Sequence, residues 1–185
     1  MKGKSLLLIA FGFLLVISGT TSIIFNNTKK NTNSTSSGPL FDGKKNQEDF
    51  ITYVSNKFSK NYFNVSKTAS VNNLEYLDLS VEYDLLGEEG VFYLNTLWVK
   101  SYQDNIVKLA SDYEILNYQS YLGANENPIF KILGIGGEPT NPKLLFIIPA
   151  DRIKKTHQYI QKINEFKKNE LHSNFFYDIN DKTLR

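Results

Sequence analysis

The side chains with the most capacity for chemistry lie in one stretch, Leu74 to Ser101, LEYLDLSVEYDLLGEEGVFYLNTLWVKS. Asp78 and Glu82 fall in a segment of alternating polarity and so share one face of it. Asn95 and Leu97 belong to the next segment, Lys100 closes that segment, and Glu114 follows on the element beyond. Carboxylates and amines can hold ions or move protons. Residues of these types are more often solvated surface charges, and spacing alone does not separate the two roles.

Other chemistries lack their residues. The chain has no Cys, which excludes disulfides, thiolate catalysis and Cys-based zinc sites. Its two histidines, His157 and His172, are too scattered for a His-rich metal site. No Gly-x-Ser-x-Gly elbow or His-Glu-x-x-His motif occurs. Gly134-Ile135-Gly136-Gly137 lacks the Lys-Ser/Thr of a P-loop and precedes a strand instead of opening a helix. It reads as a turn whose glycines supply positive φ, stiffened by Pro139 and Pro142. Arg152, Lys154, Lys155, Lys162, Lys167 and Lys168 form a basic cluster that reads as a solvated helix face before it reads as a phosphate contact.

Charge divides the chain. Residues 1–45 carry six Lys against one Asp, whereas the remainder carries fewer Lys and Arg than Asp and Glu. A mildly acidic body lacks the broad basic footprint of a dedicated DNA binder.

Residues 5–25, SLLLIAFGFLLVISGTTSIIF, contain no charge and follow Lys2 and Lys4. At ~1.5 Å rise per residue they can cross a hydrocarbon core of ~30 Å. A cleaved signal peptide is the rival reading, but Ile23, Ile24 and Phe25 resume the apolar run beyond the small residues, which favours a retained single-pass anchor. Lys29, Lys30, Lys44 and Lys45 balance the amino-terminal lysines, so the positive-inside rule assigns the following domain to neither side. Residues 26–45 are rich in Asn, Thr, Ser, Gly and Lys and read as a flexible tether.

A folded domain is expected over 46–185. Phe50, Tyr53, Val54 and Phe58 predict a helix, and a short strand follows at 62–65. Leu77, Leu79, Val81, Tyr83 and Leu85 alternate with polar residues as in a half-buried strand. Gly87 to Gly90 turns the chain into a central strand over 91–100. Ile106, Leu109, Ala110, Tyr113 and Leu116 predict a second helix ending near Gly123. Apolar runs at 128–133 and 143–148 predict two more strands. Residues 151–168 predict a basic amphipathic helix with Ile153, Tyr159, Ile160, Ile163 and Phe166 inward, and Phe175 to Tyr177 a last strand or docked tail. The order predicts an α/β fold with a central mixed sheet flanked by helices, preceded by one transmembrane helix.

Several blocks follow one another in a familiar order: Phe50-Ile51-Thr52-Tyr53-Val54, Leu77-Asp78-Leu79, Phe92-Tyr93-Leu94-Asn95-Thr96-Leu97-Trp98, Asn117-Tyr118-Gln119-Ser120-Tyr121, Pro128-Ile129-Phe130 running into Gly134-Ile135-Gly136-Gly137, and Ile148-Pro149 with Ile153. Over 46–185 this order resembles a bacterial branch of the PD-(D/E)xK, or restriction-endonuclease-like, nuclease superfamily. The resemblance implies a hard divalent cation, normally Mg²⁺, held by carboxylates, with a Lys supporting the attack on phosphate. In the matching positions the helix Glu is Ile51, the strand Glu is Asn95, the Lys is Leu97, and only Asp78 remains. One carboxylate and one amide make a poor Mg²⁺ site, so Asp78 reads as a relic or a candidate metal ligand in a domain that has lost catalysis.

Together with the apolar segment 5–25, the resemblance implies a membrane-tethered structural or interaction module with a protein partner and no small-molecule cofactor. A second reading is a metal-dependent DNA endonuclease that needs Mg²⁺ and uses Asp78 with relocated residues: Glu82, Glu114 or Lys100. A third is an exported surface protein with architectural resemblance alone.

Overall fold

The computed structural model of the chain describes residues 43–68 and 75–185. The apolar segment 5–25, most of the tether and Leu74 lie outside the described residues. Among the described residues no helix is long and apolar enough to cross a membrane.

The first helix, α1, spans Gly43–Ser55 and buries Phe50 and Val54, four residues apart on one face. Five strands form the central sheet: β1 (Phe63–Lys67), β2 (Leu79–Leu85), β3 (Glu88–Val99), β5 (Ile129–Glu138) and β6 (Asn141–Pro149), in the order β1-β2-β3-β5-β6. β3 and β5 are parallel and the other neighbours antiparallel, so the sheet is mixed, as the element order predicts. Between β3 and β5 the chain crosses over through β4 (Ile106–Lys108) and the second helix, α2 (Asp112–Ala124).

Each face of the sheet buries its own core. Phe50, Val54 and Phe58 pack with Leu79, Val81, Phe92, Leu94, Phe130 and Ile132, joined by Phe175 and Tyr177 from the tail. Ile115 and Tyr118 of α2 pack on the opposite face with Leu133, Ile135, Phe146 and Ile148. Covering on both faces explains why β5 and β6 read as continuous apolar runs.

Four local expectations are corrected. The hairpin between β2 and β3 turns on two residues, Leu86 and Gly87, both at positive φ, and Glu88 to Gly90 already belong to β3. The glycine run lies inside β5; Gly136 and Gly137 do adopt positive φ, but the chain turns at Pro139 and Thr140. The second helix starts at Asp112, because Ser111 and Glu114 form a capping box; residues 106–108 are a strand, and Tyr113 and Leu116 are exposed.

The basic helix expected over 151–168 does not form. That segment contains a 3-10 turn at Ala150–Arg152, β7 (His157–Tyr159) and a second 3-10 stretch at Ile160–Phe166. Its backbone is committed elsewhere. β7 pairs with β4, Thr156 accepts the Leu109 N–H, and Lys168 donates to Leu145 of β6. A helix here would leave β4 unpaired and part of the β6 edge bare. Ile153 and Ile163 are buried as expected, while Tyr159 is exposed. The tail docks through Phe175 N–H to the Lys57 carbonyl and ends in a small ladder, β8 (Tyr177–Asp178) with β9 (Thr183–Leu184).

Two substitutions test this packing. At Gly134 a Cβ would lie 2.6 Å from the Phe50 ring, so Gly134→Ala should push α1 off the sheet and cost about 1–3 kcal/mol in urea unfolding. Leu86 is 95 % exposed with φ 56°, so it holds a left-handed conformation without packing in return. Leu86→Asn should raise stability by about 1 kcal/mol, read as a higher urea midpoint at unchanged slope.

Candidate functional site

The site forms where β2 and β3 part. They pair from Leu85↔Glu88 to Leu79↔Leu94, and Asp78 N–H still reaches the Leu94 carbonyl at 2.9 Å. Beyond that point β3 continues without its neighbour, and its backbone groups need other partners.

Side chains supply them. The Asp78 carboxylate accepts from Thr96 N–H at 2.5 Å and from Thr96 Oγ1 at 3.0 Å. Gln47 of α1 takes over next: its Nε2 donates to the Thr96 carbonyl at 3.0 Å and to Thr96 Oγ1 at 2.8 Å, and its Oε1 accepts from Trp98 N–H at 3.2 Å. One side-chain amide thus replaces one peptide group of the missing strand. On the other side of the split, Asn95 Nδ2 donates to the Tyr76 carbonyl.

Asn95 connects this split to β5. Lys131 is its register partner in the parallel pair, and Lys131 Nζ donates to Asn95 Oδ1. The same ammonium lies 3.5 Å from Glu114 Oε1. Glu114 is held in turn by Ser111, whose N–H and Oγ reach Oε2 at 2.7 and 2.8 Å. Lys131 is 2 % exposed and Asn95 6 %, so water does not share these bonds freely. The Tyr118 hydroxyl is buried with no hydrogen-bond partner.

Burial dominates the electrostatics. It pushes the Asp78 carboxyl up, against the Thr96 hydrogen bonds and the Lys131 charge, which pull it down. Burial also pushes Lys131 down, although Glu114 and Asp78 oppose it. For Glu114 burial is again the largest single effect, yet Lys131 and the Ser111 bonds together hold the carboxyl below its ordinary value.

The sequence-derived candidates separate. Asn95 and Glu114 meet at Lys131, and Asp78 is bound to Thr96, the residue after Asn95. Glu82 does not join them: it is exposed and accepts from Asn64 of β1 at 2.9 Å. Leu97 packs into the apolar cluster on the α2 face, opposite Leu133. Lys100 lies just past the end of β3, exposed, five residues and so about 17 Å along the strand from Asn95. On α1 it is Gln47 that reaches the site, while Ile51 is half-buried against the core of that face.

Gln47 and Lys131 were missed by sequence reasoning, though each left a signal. Gln47 precedes Phe50 by three residues and shares its face. Lys131 interrupts an apolar run expected to be buried, where a charge requires a partner.

A hard divalent cation does not fit this donor set. Mg²⁺ demands near-octahedral oxygen ligands at ~2.1 Å. Asp78 Oδ2 is committed to Thr96 and Asn95 Oδ1 to Lys131. Among the described residues no three or more His, Asp or Glu converge as a metal cluster.

Two measurements test this network. Asn95→Leu keeps the volume but strips partners from both Lys131 Nζ and the Tyr76 carbonyl, so it should cost about 2–4 kcal/mol in urea unfolding. For Asp78 the folded carboxyl is raised above its unfolded value of about 3.9. Ionised Asp78 therefore costs stability above its folded pKa, and that cost is relieved as the pH falls through it. Relative to Asp78→Asn, the native protein should gain stability from neutrality toward about pH 4; a pH-independent difference would refute the burial effect.

No protein-family model matches the sequence, and no curated protein matches it. Among solved structures the chain is similar to a Holliday junction resolvase from the archaeal hyperthermophile Archaeoglobus fulgidus, at 10 % identity, with 66 % of this chain and 88 % of that chain covered and a TM-score of 0.42. A likeness of this degree carries no activity and no residue role to the present chain.

Proposed function

We propose that the chain is a membrane-tethered, restriction-endonuclease-like domain that does not cleave phosphodiester bonds and works as a structural or interaction module. One observation carries this reading: the Asn95 amide is engaged on both sides, accepting from Lys131 and donating to the Tyr76 carbonyl. An amide suits that place because one neighbour is a donor and the other an acceptor. A carboxylate would serve Lys131 but would face the carbonyl with no hydrogen to offer. With Leu97 packed among apolar side chains, two of the positions that catalysis would need are structural.

The tether rests on the uncharged segment 5–25, which is long enough to span a bilayer. A protein partner at the membrane is the interaction this reading implies.

The competing reading, a metal-dependent DNA endonuclease with relocated residues, is favoured by one feature. Glu114 and Lys131 form an ion pair, and the Asp78 carboxylate acts on it electrostatically. Burial of the amine and its engagement by Asn95 and Glu114 argue against that use.

The test is incubation of the full chain, in detergent, with linear and supercoiled DNA and Mg²⁺ or Mn²⁺. No cleavage above the metal-free control is expected. Cleavage that disappears in Asp78→Ala would overturn the proposal.

A further inference from the structure

On a helix the basic residues that follow Pro149 would ride a convex, solvated face. The segment folds otherwise, and its path gathers them. Arg152 ends a 3-10 turn, Lys154 and Lys155 follow in the bend before β7, and Lys162 lies on the second 3-10 stretch. Thr156 accepts the Leu109 N–H and Asn105 accepts the Ile160 N–H, which pins both flanks of β7. The four cations consequently line one cleft of about 190 Å³, with the buried Ile148 and Ile163 among its apolar walls. Little compensates their charge. Among the described residues Lys154, Lys155 and Lys162 form no ion pair, and Arg152 meets Asp151 at 3.8 Å with both side chains largely in solvent. Among the described residues Glu165 is the one carboxylate on the lining. Gln158 also lines the cleft; its Oε1 takes the Tyr159 N–H, which leaves the Nε2 amide to donate.

Cations that outnumber the nearby carboxylates repel one another across a concave wall, and an anion entering the cleft relieves that repulsion. Guanidinium and ammonium donors suit phosphate oxygens, and a phosphomonoester carries close to two charges at neutral pH. The space also limits the ligand. Pockets that enclose a drug-sized molecule begin at about 300 Å³, so this cleft holds one compact anionic head and not a whole nucleotide. We infer that the cleft is a binding site for the phosphate of a phosphomonoester, held by Arg152, Lys154, Lys155 and Lys162. A soluble ester and the head group of a lipid present the same dianion. The inference goes beyond the non-catalytic reading above and does not depend on it, because none of these residues belongs to the network of Asp78, Asn95 and Lys131.

The experiment is a phosphorus-31 magnetic resonance titration of glycerol 3-phosphate with the full chain in neutral-detergent micelles. Saturable line broadening is expected, reversed by inorganic phosphate but not by NaCl of equal ionic strength. Lys154→Gln combined with Lys162→Gln should weaken binding by roughly tenfold or more. Lys44→Gln combined with Lys60→Gln removes as much charge from exposed positions outside the cleft and should weaken it by about twofold or less. Thermal unfolding without phosphate, followed by Trp98 fluorescence, adds a readout that separates binding from structure. The cleft variant should unfold no lower than the native chain, since it relieves repulsion and breaks no ion pair; a drop would mark these lysines as structural and overturn the inference. Phosphatidic acid in the micelle distinguishes the two sources: displacement of glycerol 3-phosphate assigns the cleft to a lipid head group, no displacement assigns it to a soluble ester, and either supports the inference. No broadening by the native chain, or equal broadening by the cleft variant, overturns it. An equal loss in both double variants marks general charge attraction and also overturns it.

Discussion

The parting of β2 from β3 at Asp78 sets the demands that the rest of the site answers. A strand that loses its neighbour inside a covered sheet exposes N–H and C=O groups to a place with little water, and each unpaired group costs about 1–3 kcal/mol. Here the open ladder is closed by three side chains instead of a strand. Asp78 takes the first N–H, the Gln47 amide spans the next two backbone groups, and Asn95 reaches back to the Tyr76 carbonyl. Because Gln47 sits on α1, Asn95 on β3 and Asp78 at the head of β2, the split also ties the first helix to the sheet.

Lys131 extends the same logic to the second face. A buried ammonium is expensive, and the pair it forms with Glu114 only offsets that cost if the remaining donors are satisfied. Asn95 and Glu114 do this from two different elements, and Ser111 fixes Glu114 through the capping box that also begins α2. One residue pair thus starts the helix, orients a carboxylate and holds the cation. Polar networks of this kind fix the register of the parts they join, since a shift of α2 or β5 by one residue would strand a charge.

The sheet margins show a related economy. β4 lies outside the central sheet and pairs with β7, and Leu145 of the edge strand β6 takes the Lys168 N–H. The segment 150–168 serves both. Its apolar residues at three- and four-residue spacing are compatible with a helix, and Ile153 and Ile163 are buried as a helix would bury them. Backbone pairing decides against it, because a helix would satisfy only its own backbone and leave the edges of β4 and β6 bare.

Elements that depend on local periodicity were legible from residue order alone. The alternation from Leu77 to Leu85 marks β2, the apolar runs mark β5 and β6, and Phe50 with Val54 marks the buried face of α1. Ser111 with Glu114 carried a capping signal that the apolar spacing of residues 106–116 masked. Which charges meet depends on packing between distant elements. Glu82 is four residues from Asp78 but binds Asn64 of β1, and Lys100 lies past the end of β3, whereas Gln47, Glu114 and Lys131 arrive from two helices and a parallel strand. A parallel pairing joins residues separated by a whole crossover, so no local pattern can record it; the register Asn95↔Lys131 exists only once the sheet has formed.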